Sequence, residues 1–200
     1  MDLERALLDR RSIRRFKRDV PPDDVVQNLV RMALAAPSPM NRQDWRFTAI
    51  RMGALHEAIK TSVAACWDRI CDENEGSASD ALRGYKGHFS AFDEAPLLLV
   101  IDVKRPARLL EHAVGDRAER IQGDLISAGM AIQNLMLAAH HQGLGTCVFT
   151  GCIAAEEELI RLLGLGHQRR IAALVALGYP DETPMAPARC EPTERLRFLA

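Results

Sequence analysis

Arg10, Arg11, Arg14, Arg15, Lys17 and Arg18 crowd between positions 10 and 18, with no acid among them and Ser12 inside the run. An arginine side chain ends in a rigid planar fork that matches phosphate oxygens two at a time. A serine hydroxyl between such forks adds a short-range donor. The segment Arg10-Arg11-Ser12-Ile13-Arg14-Arg15-Phe16 can therefore hold a phosphate and the polar edge of a ring. The bland alternative is a solvated basic turn, and composition alone favours it. A second segment runs Ala36-Pro37-Ser38-Pro39-Met40-Asn41-Arg42-Gln43-Asp44-Trp45. Two prolines fix this loop, and Ser38, Asn41 and Gln43 offer donors and acceptors that can read a polyhydroxyl chain or a heteroatom edge. Its alternative is a plain connection in which Ser and Asn make local turn bonds. The third segment, Gly143 to Gly151, is no dinucleotide fingerprint, because no strand precedes it. Gly151, next to Thr150, would let a flat ligand approach the backbone closely. A helix stop followed by a strand accounts for the same residues.

The formal net charge of the chain is −1. A nucleic-acid-binding domain usually carries a basic excess, so the local basic cluster asks for a small anion instead. The five cysteines, Cys66, Cys71, Cys147, Cys152 and Cys190, are odd in number and include no C-x-x-C pair. No histidine pair stands at zinc spacing beside Cys147 and Cys152. Reduced thiols in a cytoplasmic protein are expected, with no metal. The opening Met-Asp-Leu-Glu-Arg lacks the apolar core of a secretion signal, and no apolar run reaches the ~20 residues of a membrane helix.

Elements must position these segments. Residues 2–9 read as a short helix. Pro21 and Pro22, then Asp23 and Asp24, open a second helix whose apolar side is Val25, Val26, Leu29, Val30 and Ala33. Trp45 to Met52 reads as a strand and Ala54 to Asp72 as an amphipathic helix. The polar stretch Asp72 to Asp80 reads as a mobile loop. Leu97 to Val103 is a continuous apolar run, as in a buried strand. Gly123 to Gln142 is the most apolar helix and the candidate centre of the core, with Gly143 and Gly145 as its stop. A strand Thr146 to Thr150, a helix Ala154 to Leu163 and a strand Ile171 to Gly178 follow. The tail after Tyr179 carries Pro180, Pro184, Pro187 and Pro192, so it runs extended, with no regular helix before Thr193. Helices and strands mix without a regular βαβ beat, which predicts a single α+β domain over residues 1–200.

In this order the segments resemble the nitroreductase family. R-R-S-I-R-R-F is similar to its opening motif and A-P-S-P-M-N-R-Q-D-W to its second. A-P-L-L-L-V-I-D resembles its central strand, A-I-Q-N-L-M-L-A-A-H-H-Q-G-L-G-T its central helix and turn, and A-L-V-A-L-G-Y-P-D-E-T-P with Arg189 its last strand and tail. The resemblance implies a mixed, mainly antiparallel sheet flanked by helices in an intertwined homodimer, with FMN at each subunit interface and residues 180–200 embracing the partner. Carried over, Arg10 and Arg189 grip the FMN phosphate, with Arg11 beside them. Ser12 and Arg14 face the ribityl chain and pyrimidine edge. Pro37, Ser38, Asn41 and Gln43 belong to the second motif, with Ser38 and Asn41 reaching in from the partner. Thr150 and Gly151 lie against the ring near N5. The implied activity is NAD(P)H-dependent reduction of nitro compounds, quinones or similar electron-poor acceptors in alternating half-reactions. Flavin N5 carries the chemistry, so no catalytic side chain is required, and no triad or paired carboxylate is seen. The chain departs from the family pattern at Asp44, where proline usually precedes the tryptophan. The region Cys66 to Phe92 carries no translatable pattern, and Phe89 and Phe92 read as packing residues before pocket residues. Three other readings stay open: a same-fold reductive dehalogenase or flavin-fragmenting enzyme, a flavin-binding protein without turnover, and a small nucleic-acid module with steeply salt-dependent binding.

Overall fold

A computed structural model of the protein describes residues 2–74, 76–89, 91–92, 94–105 and 122–199. Its centre is a sheet of four strands, β1 (Arg46–Arg51), β2 (Leu97–Lys104), β3 (Gly145–Phe149) and β4 (Arg169–Gly178), in the order β1-β2-β4-β3. All three ladders are antiparallel. Among the described residues the sheet is thus antiparallel throughout, and one isolated parallel bridge, Ser12 to Thr146, ties the N-terminal segment to β3.

The apolar run of β2 is continuous because both of its faces are covered. Leu97, Leu99, Ile101 and Val103 point to one side, where they meet α2 (Asp23–Ala33) and α5 (Gly123–His141). Leu98 and Val100 point to the other, against α3 (Ala54–Asp72) and the short helix α6 (Glu156–Leu162). Neighbouring β4 divides in the same way, with Ala173, Val175 and Leu177 on the first side and Ile171, Leu174 and Ala176 on the second. Period-two alternation places Ala173 to Leu177 on alternate faces, and a register shift between Ile101 and Asp102 puts Ile171 on the face opposite Ala173.

α5 buries Ala128, Ala131, Ile132, Leu135, Met136 and Ala139 against the sheet and α2, yet leaves Ile126 and Met130 exposed. It ends in a Schellman motif: Leu144 N–H donates to the Ala139 carbonyl at 2.8 Å and Gly143 N–H to that of His140 at 3.0 Å. Gly143 takes the required φ of 75°. Gly145 is not part of this stop. It opens β3, and a Cβ on it would stand 2.8 Å from Cβ of Ile13.

The sheet, the long helices and their order agree with expectation, and three further local readings need correction. The stretch Asp72 to Asp80, expected as a mobile loop, is helical at both ends: α3 runs to Asp72 and α4 (Ser77–Phe89) starts five residues later, with Glu75 outside the described residues. Among the described side chains of α4 only Ser79, Leu82 and Phe89 turn inward, and Gly84 and Gly87 lower its helix propensity. Such a face gives little periodic signal. The helix expected from Ala154 begins as a 3-10 turn over Gly151–Ala155 and becomes regular only at Glu156. The tail is extended, but its one helical turn, α7 (Pro192–Arg195), starts on the proline itself. Proline suits a first helical position because its missing N–H has no partner there anyway. Among the described residues no helix is long and apolar enough to cross a membrane.

Candidate functional site

The basic segment leaves α1 (Leu3–Asp9) and runs extended along the end of the sheet. Ile13 N–H donates to the Thr146 carbonyl at 2.9 Å, and Lys17 N–H donates to that of Tyr179 at 2.9 Å. Ile13 and Phe16 are buried beneath it. Pinned on that side, the segment turns Arg10, Arg11, Ser12 and Arg14 toward the tail. With Pro184, Met185, Pro187 and Arg189 they enclose a cavity of about 290 Å³. Four arginines and one serine thus meet, although Arg189 is far away in sequence.

No carboxylate is among the described residues that line this cavity. Burial, then the charges of Arg189 and Arg11, pull the Arg10 guanidinium below its ordinary value. Its Nη1 is buried without a hydrogen-bond partner. An anion here would satisfy that donor and relieve the repulsion among the arginines. Arg11 is partly diverted, since its Nη1 donates to the carbonyls of Leu8 at 2.6 Å and Arg10 at 2.9 Å. Cys147 lies under the segment, and burial pushes its thiol up, against the pull of Arg14 and a hydrogen bond from Ser12. The thiol beneath the segment is therefore neutral. Behind Arg10, His140 lines an adjoining cavity of about 490 Å³, and burial lowers the pKa of its imidazole.

Glu182 was not singled out from sequence, yet it sets the shape of the segment. Its Oε1 accepts the backbone N–H groups of Arg14 and Arg15, and its Oε2 lies 3.6 Å from Arg15 Nε. The Arg14 N–H foremost, then those of Arg15 and the nearby guanidiniums, hold its carboxyl below the usual range, against a smaller effect of burial. Its only sequence signal was its place in the segment Gly178-Tyr179-Pro180-Asp181-Glu182.

The second segment forms a tight exposed loop at the other end of α5. Ser38 Oγ accepts the Gln43 N–H at 3.0 Å, and Gln43 Nε2 donates to Asn41 Oδ1 at 3.1 Å. The local turn bonds expected of Ser and Asn are thus present. Pro37 lies exposed just before this loop. Met40, Asn41 and Gln43 all have φ between 51° and 53°, a left-handed conformation that non-glycine residues seldom adopt. Arg42 Nη2 reaches Asp124 Oδ1 at 2.7 Å, in the first turn of α5.

The third segment ends β3. Thr150 is exposed and Gly151 half-buried. Trp67 Nε1 donates to the Gly151 carbonyl at 3.0 Å, and the Trp67 ring stacks on Phe89 with centroids 4.0 Å apart. The Phe89 ring lies so close to Gly151 that no Cβ could fit between them. Glycine is required here for an aromatic ring of the chain itself. Phe92 is fully buried in the core, as a packing residue.

Cradle and loop do not meet within one chain. The cradle adjoins His140 and Gly143 at the C-terminal end of α5, and the loop packs on Gly123 and Asp124 at its N-terminal end. The 19 residues between those ends span about 28 Å at 1.5 Å per residue. Thr150, by contrast, directly follows the strand of Thr146, the bridge partner of Ser12, roughly 13 Å away.

The Nitroreductase family matches residues 7–179. A NADH dehydrogenase of Thermus thermophilus is 28% identical over 221 aligned positions, which cover 98% of this chain and 95% of that protein. An iodotyrosine deiodinase of Thermotoga neapolitana is 27% identical over 184 positions, 86% of each chain. Among solved structures, a BluB-like flavoprotein from Clostridium difficile 630 superposes with a TM-score of 0.87 at 25% identity, covering 100% of both chains. The family match spans most of the sequence, and the chain is an oxidoreductase of the nitroreductase family.

Proposed function

We propose that the chain is an FMN-dependent NAD(P)H oxidoreductase acting on nitro compounds, quinones or similar electron-poor acceptors. The observation that carries this reading is the cradle of Arg10, Arg11, Ser12, Arg14 and Arg189 around a buried, unpartnered guanidinium nitrogen. Its donors suit a terminal phosphate. Bound flavin would supply hydride transfer at N5, from the nicotinamide donor and on to the acceptor. The protein's part is positioning and charge. Arg10 and Arg189 hold the phosphate. Ser12 donates to the ribityl chain. Arg14, whose backbone is fixed by Glu182, places a permanent positive charge at the pyrimidine edge, where reduction builds negative charge. Thr150 and Gly151 offer backbone N–H groups beside the ring.

A homodimer completes the site in this reading. One chain's loop of Ser38, Asn41 and Gln43 stands too far from its own cradle to share a ligand with it. A second copy with its α5 antiparallel brings each loop to the opposite cradle. The uncovered Ile126 and Met130 on α5, and Met185, Phe198 and Leu199 on the tail, are the apolar surface such a partner would bury. Residues 180–200 would reach across it, and residues 1–200 act as one domain.

A second reading is favoured by the overlay on the BluB-like flavoprotein and the identity to the deiodinase: a specialised flavoenzyme of the same fold, such as a reductive dehalogenase. The deciding experiment is the visible spectrum of the purified protein before and after anaerobic NADPH or NADH, followed by addition of a nitroaromatic, a quinone or 3-iodo-L-tyrosine. Flavin bands that bleach and return with nitroaromatic or quinone support the first reading. Return only with the iodinated acceptor, with iodide release, supports the second. A colourless protein that takes up no added FMN overturns both.

A further inference from the structure

The Ser38–Gln43 loop carries a conformational load that its own hydrogen bonds do not explain. Met40, Asn41 and Gln43 are all left-handed and none is glycine. Such backbone persists where the surroundings over-determine it. Here the surroundings are ionic. Asp44 Oδ2 lies 3.3 Å from Arg42 Nε, and Asp44 Oδ1 lies 3.6 Å from Lys104 Nζ at the end of β2. The Arg42 guanidinium then passes to Asp124 at the start of α5. Both carboxylates are largely buried, with 15% of the side chain exposed in each case, while Arg42 remains 42% exposed. Arg170, on the next strand, adds its positive charge to the field at Asp124. The chain Lys104–Asp44–Arg42–Asp124 fastens the C-terminal side of the loop to both the sheet and α5.

Asp44 also leaves the backbone free. A proline at 44 would drive residue 43 toward the extended region, whereas Gln43 has φ 51°. The loop therefore has an ionic restraint where a ring would impose a different backbone. We propose that Asp44, acting through Arg42 and Asp124, is a positioning residue that preorganises the Ser38–Gln43 loop for flavin, without touching the flavin itself. This rests on the FMN reading above. It assigns the loop to the ring and ribityl part of the ligand and leaves the phosphate to the arginine cradle.

The test compares Asp44→Asn and Asp44→Glu with wild type. It measures dissociation constants for FMN and for riboflavin, which lacks the phosphate, by quenching of flavin fluorescence at low and high salt. The melting temperature of the flavin-free protein is recorded alongside. Asp44→Asn is expected to weaken both flavins by the same factor, about tenfold as for members of one charge network. Its loss of affinity with added salt should be shallower than in wild type, and Asp44→Glu should restore most of the binding. Arg10→Ala, as the control, weakens FMN and leaves riboflavin unchanged. The proposal is overturned if Asp44→Asn binds like wild type with the same salt dependence. It is equally overturned if the weakening comes with a matching fall in melting temperature and Asp44→Glu does not restore it. Wild type that binds neither flavin removes the FMN reading itself and this proposal with it.

Discussion

The two ends of α5 hold their candidate ligand groups by opposite means. At the C-terminal end the backbone is relaxed and the side chains are in conflict: Arg10, Arg11, Arg14 and Arg189 face one cavity with too much positive charge. At the N-terminal end the charges are paired through Arg42, Asp44 and Asp124, and the backbone holds the tension, in three left-handed residues. A cradle built on unpaired charge gains most when an anion arrives. A loop whose charges are already paired gains nothing from the charge of a ligand, and serves by presenting donors in one shape. Deletions at the first end should therefore cost affinity directly, and changes at the second should act through geometry.

The largest effect is expected from Arg10→Ala combined with Arg189→Ala. Each removes charge-assisted hydrogen bonds worth about 1.5–3 kcal/mol. FMN affinity should fall roughly a hundredfold or more, read by fluorescence titration, and a loss under about fivefold would break the contrast between the two ends.

Next comes a matched pair of glycine substitutions. In Gly145→Ala the new methyl meets Ile13 at 2.8 Å, on an atom next to the backbone. The basic segment must shift, at a cost of about 1–3 kcal/mol in chemical denaturation. In Gly123→Ala the methyl meets the edge of the Pro39 ring at 3.1 Å. Alanine's helix propensity offsets that crowding, so the net change should lie within about 0.5 kcal/mol. Equal costs at the two positions would show that the cradle is no more tightly packed than the loop.

Acidification gives a smaller effect with a defined sign. The folded pKa of Glu182 is lowered, so its stabilisation is fully present above the ordinary glutamate pKa. It is lost as the pH falls through the lower folded value. Hydrogen exchange at the Arg14 and Arg15 amides should accelerate in that window relative to neighbouring amides. Glu182→Gln should abolish the extra acid sensitivity, and an unchanged profile in that variant would assign it elsewhere.

The smallest effect is expected from Met40→Gly. Met40 is exposed and left-handed at φ 52°. Glycine relieves the local strain but adds freedom to the unfolded chain. A gain of under about 1 kcal/mol in stability is expected in thermal unfolding. A clear loss would mean that the methionine side chain itself secures the loop.

Legibility in the sequence follows the range of the interactions. The helix Ala54–Asp72, the apolar β2 and the central helix were readable because hydrophobic periodicity is a local signal and each element is long. α4 was missed because its described inward face is Ser79, Leu82 and Phe89, with two glycines nearby. The arginine cluster was readable as an anion site in chemical type. Glu182 was not, because its partner Arg14 is 168 residues away and no spacing rule connects them. Asp44 was visible as a departure from the family pattern, but its ion pairs with Arg42 and Lys104 were not.

By itself, then, the sequence determined the kinds of element, the two-sided burial of β2 and the chemical character of the basic segment. Those follow from side-chain polarity repeated at helical or strand period, and from the planar charge of arginine. Only the tertiary structure decided that Arg189 joins Arg10 in one cavity and that the loop of Ser38, Asn41 and Gln43 stands at the far end of α5 from it. Those facts depend on which distant segments the sheet brings together, and the free energy that selects the arrangement belongs to the whole packed core rather than to any stretch of chain.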